Sequence, residues 1–189
     1  MSRIVSLTVA GLTTLALAVP ASAEHIYCTF VGAKQGKFHG DHGLNGDPTQ
    51  IPVFALTQEV TVPIDTASGA VSGKRQHAPL TIVKPLDRSS PQFFAAAVTN
   101  ETLSSVTCLL YRDVERGAAP TAYFKFVLTS AVITDVKDAG DGANAGDERG
   151  DRGSDRGTER ERISFAYRRI EVTDLDSGTT AVDDWTSPI

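Results

Sequence analysis

The chain is poor in sulfur and has no surplus of positive charge. Its 189 residues include two Cys, one Met and one Trp, and 18 Lys and Arg stand against 23 Asp and Glu. A protein dedicated to nucleic acid usually carries a basic surplus that displaces counterions from phosphates, so we expect no nucleic-acid partner. With 41% hydrophobic and 22% charged residues, the composition is globular and excludes collagen-like and wholly disordered chains.

Common catalytic and ligand-binding motifs are also missing. The sequence has no H-E-x-x-H zinc motif, no phosphate-binding loop, no G-x-G-x-x-G turn and no G-x-S-x-G nucleophile elbow. His39, Asp41 and His42, with Asp47 nearby, are close in sequence, but they lie in a glycine-rich segment that offers no rigid frame for a metal. We therefore expect no catalytic residue, no cofactor, no metal site and no enzymatic activity.

Residues 1–23 have the pattern of a secretory signal peptide. Arg3 is the only charged residue before Glu24, residues 4–19 carry no charge, and small residues lead up to Ala23. As a helix, residues 4–19 would be about 24 Å long, short of the roughly 30 Å hydrocarbon core, which makes an uncleaved anchor the weaker alternative. We expect cleavage between Ala23 and Glu24, a secreted or periplasmic mature chain, and no stable membrane anchor after cleavage.

Short runs of alternating apolar residues dominate residues 24–189 and predict strands. Two of these runs, 26–31 and 105–112, place Cys28 and Cys108 on their apolar faces. Export would allow the two cysteines to form a disulfide, and two buried free thiols are the alternative. In residues 163–173 the alternation reverses phase at Arg168 and Arg169, which predicts a β-bulge there.

One helix is predicted among these strands. Ser90 can cap it, Pro91 suits its first position, and Phe94, Ala97 and Val98 share one face. Six to eight strands, one short helix and no alternation of strands with helices predict a mainly β fold. The architecture is either a β-sandwich or a closed barrel, with the helix at one side or end.

Two segments are predicted to be long loops. Residues 32–50 contain six Gly or Pro without apolar periodicity. Residues 138–162 contain eight acidic residues, five Arg and six Gly, which predicts a charged, flexible, low-complexity loop. A calcium loop is the less favoured interpretation of the second segment, because its acidic residues lack the ligand order of an EF-hand. Its ligands would be Asp138, Asp141, Asn144 and Asp147.

Four sequence blocks carry a family resemblance. They are SGKRQHAPLTIVKPLDRSSPQFF (72–94), SVTCLLYR (105–112), YFKFVLTSAVITDV (123–136) and ERISFAYRRIEVTDLDSGTTAVDDW (161–185). In this order and spacing they resemble the haemolysin-coregulated protein (Hcp) family, the tube subunits of type VI secretion systems.

The resemblance implies a compact β-barrel of two sheets with one short α-helix at its side. It also implies a subunit without catalytic residues that forms hexameric rings, which stack into tubes and carry effectors. The expected partners are copies of this chain, secreted effectors and other type VI components, and residues 32–50 would correspond to the family's extended loop. The signal peptide departs from the family pattern. It leaves two functions open, an exported ring subunit or a stand-alone secreted monomer that acts as an extracellular binding module.

Overall fold

The computed structural model describes residues 24–41, 43–112, 120–139 and 159–185. In these ranges the chain is mostly β-strand, because its alternating runs place apolar side chains on one side of each strand. More strands form than the six to eight predicted. Five of them are only two or three residues long, which is too short for an alternating pattern to indicate them. The eleven strands are β1 Glu24–Gly32, β2 Gly36–Lys37, β3 Ile51–Val53, β4 Ala55–Thr57, β5 Val60–Thr61, β6 Gln76–His77, β7 Leu80–Pro85, β8 Thr102–Arg112, β9 Thr121–Ala139, β10 Arg160–Asp174 and β11 Thr180–Asp184.

One antiparallel sheet runs around the core. Its strand order is β2-β1-β8-β9-β10-β7-β4, with β3 paired to β1 and β11 paired to β10. The short segment 51–57 links the two sides of this sheet, because its strand β3 pairs with β1 and its strand β4 pairs with β7. Between these two strands, the amide of Phe54 donates to the carbonyl of Val83. The mainly β barrel fold predicted from the sequence is therefore present.

An aromatic cluster fills the core beside the helix. The rings of Phe30 and Phe93 lie 4.8 Å apart, those of Phe38 and Phe93 lie 5.0 Å apart, and Phe30 stacks on Phe165 at 5.7 Å. All four side chains are fully buried. Because Phe93 is on the helix and the others are on or beside strands, this cluster attaches the helix to the barrel.

The helix α1 spans Ser90–Val98 and has a proline in its first turn, as predicted. Its apolar face is not the one expected, because Phe93 and Ala96 are buried whereas Phe94 and Val98 are each 61% exposed. The predicted cap is also wrong. The Ser90 hydroxyl donates to Glu161 on β10, at 2.5 Å, instead of capping a backbone amide of its own helix.

In strand β10, the face that is buried changes near Arg168, as the sequence indicated. Tyr167 and Ile170 are both buried, so the alternation reverses between them. The predicted bulge at Arg168 is wrong, because pairing with β9 keeps one register on both sides of that residue. Opposite it, Ser130 has a φ of 52° and interrupts the pleat of β9. The register shift between β9 and β10 lies instead between Ser164 and Phe165.

The charged loop is shorter at both ends than predicted. Asp138 lies within β9, which ends at Ala139, and β10 begins at Arg160. The sequence pattern missed these ends because they carry charged residues where an apolar alternation is expected, and Glu161 is nevertheless buried. Residues 140–158, with most of the calcium-loop candidates, and the predicted signal peptide at 1–23 lie outside the described residues. Within the described ranges, no helix is long and apolar enough to cross a membrane.

Candidate assembly surface

A hairpin arm, residues 59–78, stands apart from the main sheet. Its strands β5 and β6 pair only with each other, with Val60 opposite His77. Beyond them, the amide of Ser72 donates to the carbonyl of Pro63, and the amide of Asp65 donates to the carbonyl of Ala70. The Asp65 carboxylate accepts from two amides of the turn, which closes the tip. Backbone and side-chain hydrogen bonds thus give the arm a defined shape away from the core.

The arm carries apolar side chains that the core does not cover. Val60 and Val62 are 45% and 46% exposed, and Ile64 and Val71 near the tip are 59% and 68% exposed. Isolated exposed apolar residues are common, but four on one hairpin form a patch of the kind that marks a protein interface. The arm is therefore the strongest candidate for a contact with another chain.

A polar cluster at the root of the arm, the clasp, holds it against the barrel. The Arg75 guanidinium donates two hydrogen bonds to the carboxylate of Asp183 on β11. His77 Nε2 lies 2.6 Å from Asp183 Oδ2, and His77 Nδ1 lies 3.0 Å from the hydroxyl of Tyr167 on β10. The Trp185 ring lies 5.2 Å from the ring of His77. Two arm residues thus contact two strands of the barrel.

The environment of the clasp shifts the pKa values of Asp183 and Tyr167 in opposite directions. The hydrogen bonds from Arg75 are the main reason that the pKa of Asp183 falls to about 2. Burial raises the pKa of Tyr167, so its phenol keeps its proton and can donate to His77 Nδ1. The other ring nitrogen of His77 can then donate to Asp183. The clasp thus links the Tyr167 hydroxyl, the His77 ring and the Asp183 carboxylate in one line of hydrogen-bonding groups.

A groove of about 210 Å³ lies beside the clasp, between the arm and strands β10 and β11. Aliphatic side chains form most of its wall, and the polar atoms of the clasp lie at one side. The residues that line it are Gln58, Val60, His77, Ile170, Val172, Ala181, Val182 and Asp183. Val182 is 52% exposed at the rim. The groove therefore offers an apolar recess next to the apolar arm.

The first part of segment 32–50, the segment expected to correspond to the family's extended loop, lies against the barrel. Phe38 is fully buried. The Glu101 carboxylate, itself 2% exposed, accepts from the amides of Lys34 and Gln35 at 2.6 and 2.8 Å. Burial raises the pKa of Glu101, but these hydrogen bonds outweigh it, so the net pKa lies below its usual value. The segment that extends from the barrel is the arm.

The structure does not assemble a metal site from the residues considered in the sequence. Across the described parts of the chain, no three His, Cys, Asp or Glu side chains are grouped closely enough to hold a metal ion. Asp47 accepts hydrogen bonds from the amide and hydroxyl of Thr49, which lower its pKa, and thus closes a local turn. The amide of His39 donates to the side chain of Gln92, and His42 lies outside the described residues.

The two cysteines, by contrast, are brought together. Cys28 on β1 and Cys108 on β8 are directly opposite each other, with Cα atoms 4.1 Å apart, and form a disulfide. Glu24, on one side of the predicted cleavage site, is the first residue of β1, while Ala23 lies outside the described residues.

Sequence reasoning missed the arm and the clasp. The signal for the arm was present, since Val60, Val62 and Ile64 alternate and turn residues follow them, but such a run also suits a strand of the main sheet. The clasp joins residues more than 100 positions apart, such as Arg75 and Asp183. No local pattern in the sequence indicates that contact.

Comparisons with known proteins agree with the fold and the sequence blocks. The family model of the type VI secretion system effector Hcp matches residues 27–173. The major exported protein of Pseudomonas aeruginosa is 33% identical over 180 residues, which cover 88% of this chain and 98% of that protein. Among solved structures, the secreted protein Hcp3 from Pseudomonas aeruginosa is 28% identical with a TM-score of 0.65, covering 85% of this chain and 99% of its own.

A second solved structure, a crystal structure of an Hcp protein, has a TM-score of 0.73 at 24% identity. The match covers 86% of this chain and 100% of the other, so it supports the same fold over the whole barrel. The family model spans most of the chain, and its limits enclose ten of the eleven strands in whole or in part. The chain belongs to the Hcp family of type VI secretion proteins.

Proposed function

We propose that this chain is a non-enzymatic structural subunit that is exported and assembles into hexameric rings. The rings stack and carry effectors in the space they enclose. The observation that carries the proposal is the arm, a folded hairpin whose four apolar side chains are each between 45% and 68% exposed in the described chain. The family to which the chain belongs supplies the expectation of six copies, and the signal sequence supplies the expectation of export.

A ring needs an interface between two different surfaces of neighbouring copies. Only such a head-to-tail contact can be repeated around an axis and close after six subunits. The arm and the groove have complementary character, because aliphatic side chains such as Val71 on the arm would match the aliphatic wall around Val172. The arm of one copy therefore serves as the projecting half of an assembly contact.

The clasp supports a structural rather than a catalytic role for its histidine. Both ring nitrogens of His77 have partners, Tyr167 and Asp183, and its side chain is only 5% exposed. A general base needs a nitrogen that can reach the proton of a substrate. Both nitrogens of His77 already have partners in the chain, so its role is to position the arm.

The proposal is tested by placing charge on the arm. Ile64→Asp and Val71→Asp change exposed side chains and should leave the barrel folded, because surface substitutions shift stability by about 0.5 kcal/mol or less. We expect each variant to run as a single chain in size-exclusion chromatography with light scattering, while the parent runs as six. Val98→Asp is the matched control, an equally exposed apolar residue on α1.

The same experiment separates the proposal from its alternatives. If Val98→Asp dissociates the ring and the arm variants do not, the interface lies on the helix and the role of the arm is wrong. If the parent is a single chain at every concentration, ring formation is wrong. The groove beside the clasp would then favour the second function, a stand-alone secreted binding module that uses this recess for a partner.

A further inference from the structure

The disulfide lies where no reagent can reach it in the folded barrel. Cys28 and Cys108 are 0% and 1% exposed and belong to the central apolar cluster. On the outer sides of the pair, Cys28 is opposite Ile51 of β3 and Cys108 is opposite Phe126 of β9. The sulfur atoms are therefore enclosed by strands on both sides as well as by the core.

Burial of the pair restricts when it can be oxidised. Thiol–disulfide exchange requires a thiolate of the chain to attack a sulfur of the oxidant through a mixed disulfide. A mixed disulfide would place a second molecule inside the core, beside Ile51 if it formed on Cys28 or beside Phe126 if it formed on Cys108. The folded barrel has no space for that intermediate, because protein cores are close-packed.

We propose that oxidation of Cys28 and Cys108 precedes closure of the barrel and is the step between export and folding. This proposal rests on the proposed function, because the signal sequence is what brings the chain to an oxidising compartment. The partner is a disulfide oxidant of that compartment. One cysteine thiolate attacks the oxidant disulfide and releases one oxidant thiol. The second cysteine thiolate then attacks the mixed disulfide and releases the other, so two electrons and two protons pass to the oxidant.

Early oxidation would also select the correct pairing of β1 with β8. Side chains alternate between the two faces of a strand, so slipping the register by one residue would turn one cysteine away from the other. The two residues are 80 positions apart, and the cross-link joins the first strand of the barrel to a strand beyond the arm and helix. The bond therefore fixes a long-range register before the intervening segments pack.

The test compares two orders of addition on the mature chain, residues 24–189. The chain is reduced, unfolded in urea and diluted into buffer, with oxidised glutathione present either from the start or only after the circular dichroism signal has become constant. Oxidation is followed by quenching with acid and labelling free thiols with a maleimide of high mass. We expect late addition to oxidise the pair about 100-fold more slowly than early addition, since access then requires opening of the core.

Two further results are informative. If the reduced chain gains no strand signal until oxidant is added, oxidation again comes first and the proposal stands. If the reduced chain folds fully and is oxidised within a few-fold of the rate in urea, the proposal is wrong. The double variant Cys28→Ala, Cys108→Ala is the control, and its folding rate should not respond to oxidant.

A cellular measurement separates this proposal from the proposed function. The full chain and a version lacking residues 2–23 are expressed, and their thiols are trapped at the moment of lysis. We expect the full chain to be oxidised and the version without the signal to be reduced. Reduced cysteines in exported chain that is folded would overturn the order of steps. If the full chain is not exported, but oxidation still precedes folding in the refolding experiment, only the proposed function is overturned.

Discussion

The substitution Lys84→Met should be among the most destabilising single changes in the barrel. Lys84, on β7, is fully buried and directly opposite Glu161 on β10. Its ammonium donates to the Glu161 carboxylate at 2.5 Å, to the Asp87 carboxylate at 2.9 Å and to the Pro85 carbonyl at 2.7 Å. These three bonds use all of its protons. Methionine would occupy much of the volume of the lysine side chain. It would remove the positive charge that pairs with the two carboxylates.

The size of the stability loss follows from the two buried carboxylates that are left without the ammonium. Removing one partner of a buried ion pair lowers the free energy of unfolding by about 3–5 kcal/mol, and here two carboxylates lose the same ammonium. For a chain of this size each kcal/mol lowers Tm by about 2–4 °C. We expect a fall of about 10–15 °C at neutral pH, measured by thermal denaturation with far-ultraviolet circular dichroism.

Two further variants make the reasoning testable. Lys137→Met, on an exposed position of β9, is the matched control and should change stability by about 0.5 kcal/mol or less. Glu161→Met added to Lys84→Met should lose less than the sum of the two single losses, because the second change removes a carboxylate that the first left unpaired. A loss below about 1 kcal/mol for Lys84→Met, or strict additivity in the double variant, would refute the account.

Three more predictions concern the arm, the disulfide and the segment 32–50. Asp183→Asn should speed proteolytic cleavage of the arm without unfolding the barrel, because Arg75 and His77 lose their charged acceptor; unchanged cleavage would show that the clasp does not hold the arm. Cys108→Ala should lower the free energy of unfolding under non-reducing conditions by about 2–4.5 kcal/mol, since the bond closes a long loop; an unchanged Tm, with both thiols of the unfolded parent open to labelling, would contradict this. Glu101→Gln should cost about 1–3 kcal/mol at pH 7, because amides of Lys34 and Gln35 lose a charged acceptor. The folded pKa of Glu101 lies below its unfolded value, so its contribution is present above about pH 4.5 and is lost as pH falls through the folded pKa. The difference between Glu101→Gln and parent in urea titrations should therefore shrink in acid, and a constant difference would contradict the assignment.

The parts of the fold that could be predicted are those that depend on local alternation. The runs around Cys28 and Cys108 indicated strands with both cysteines facing inward, and both are buried on β1 and β8. The proline at position 91 indicated where α1 begins. The count of strands left both a β-sandwich and a closed barrel open, and the family resemblance favoured the barrel.

The parts that could not be predicted depend on contacts between distant segments. Phe93 and Phe94 are adjacent and equally apolar, so only the packing of the barrel decides that Phe93 is buried and Phe94 is exposed. Lys84 and Glu101 look like surface residues in any hydropathy pattern, yet both are buried because their hydrogen-bond partners come from far along the chain. The same holds for Asp183 in the clasp.

The solution mass of a chain of residues 24–189, which lacks the proposed signal peptide, tests the central claim most directly. It is measured by light scattering over a hundredfold range of concentration, without reductant so that the disulfide is kept. The account predicts a species of six chains that persists on dilution, because the arm and groove of neighbouring copies close a ring. A mass of one chain at every concentration would contradict it.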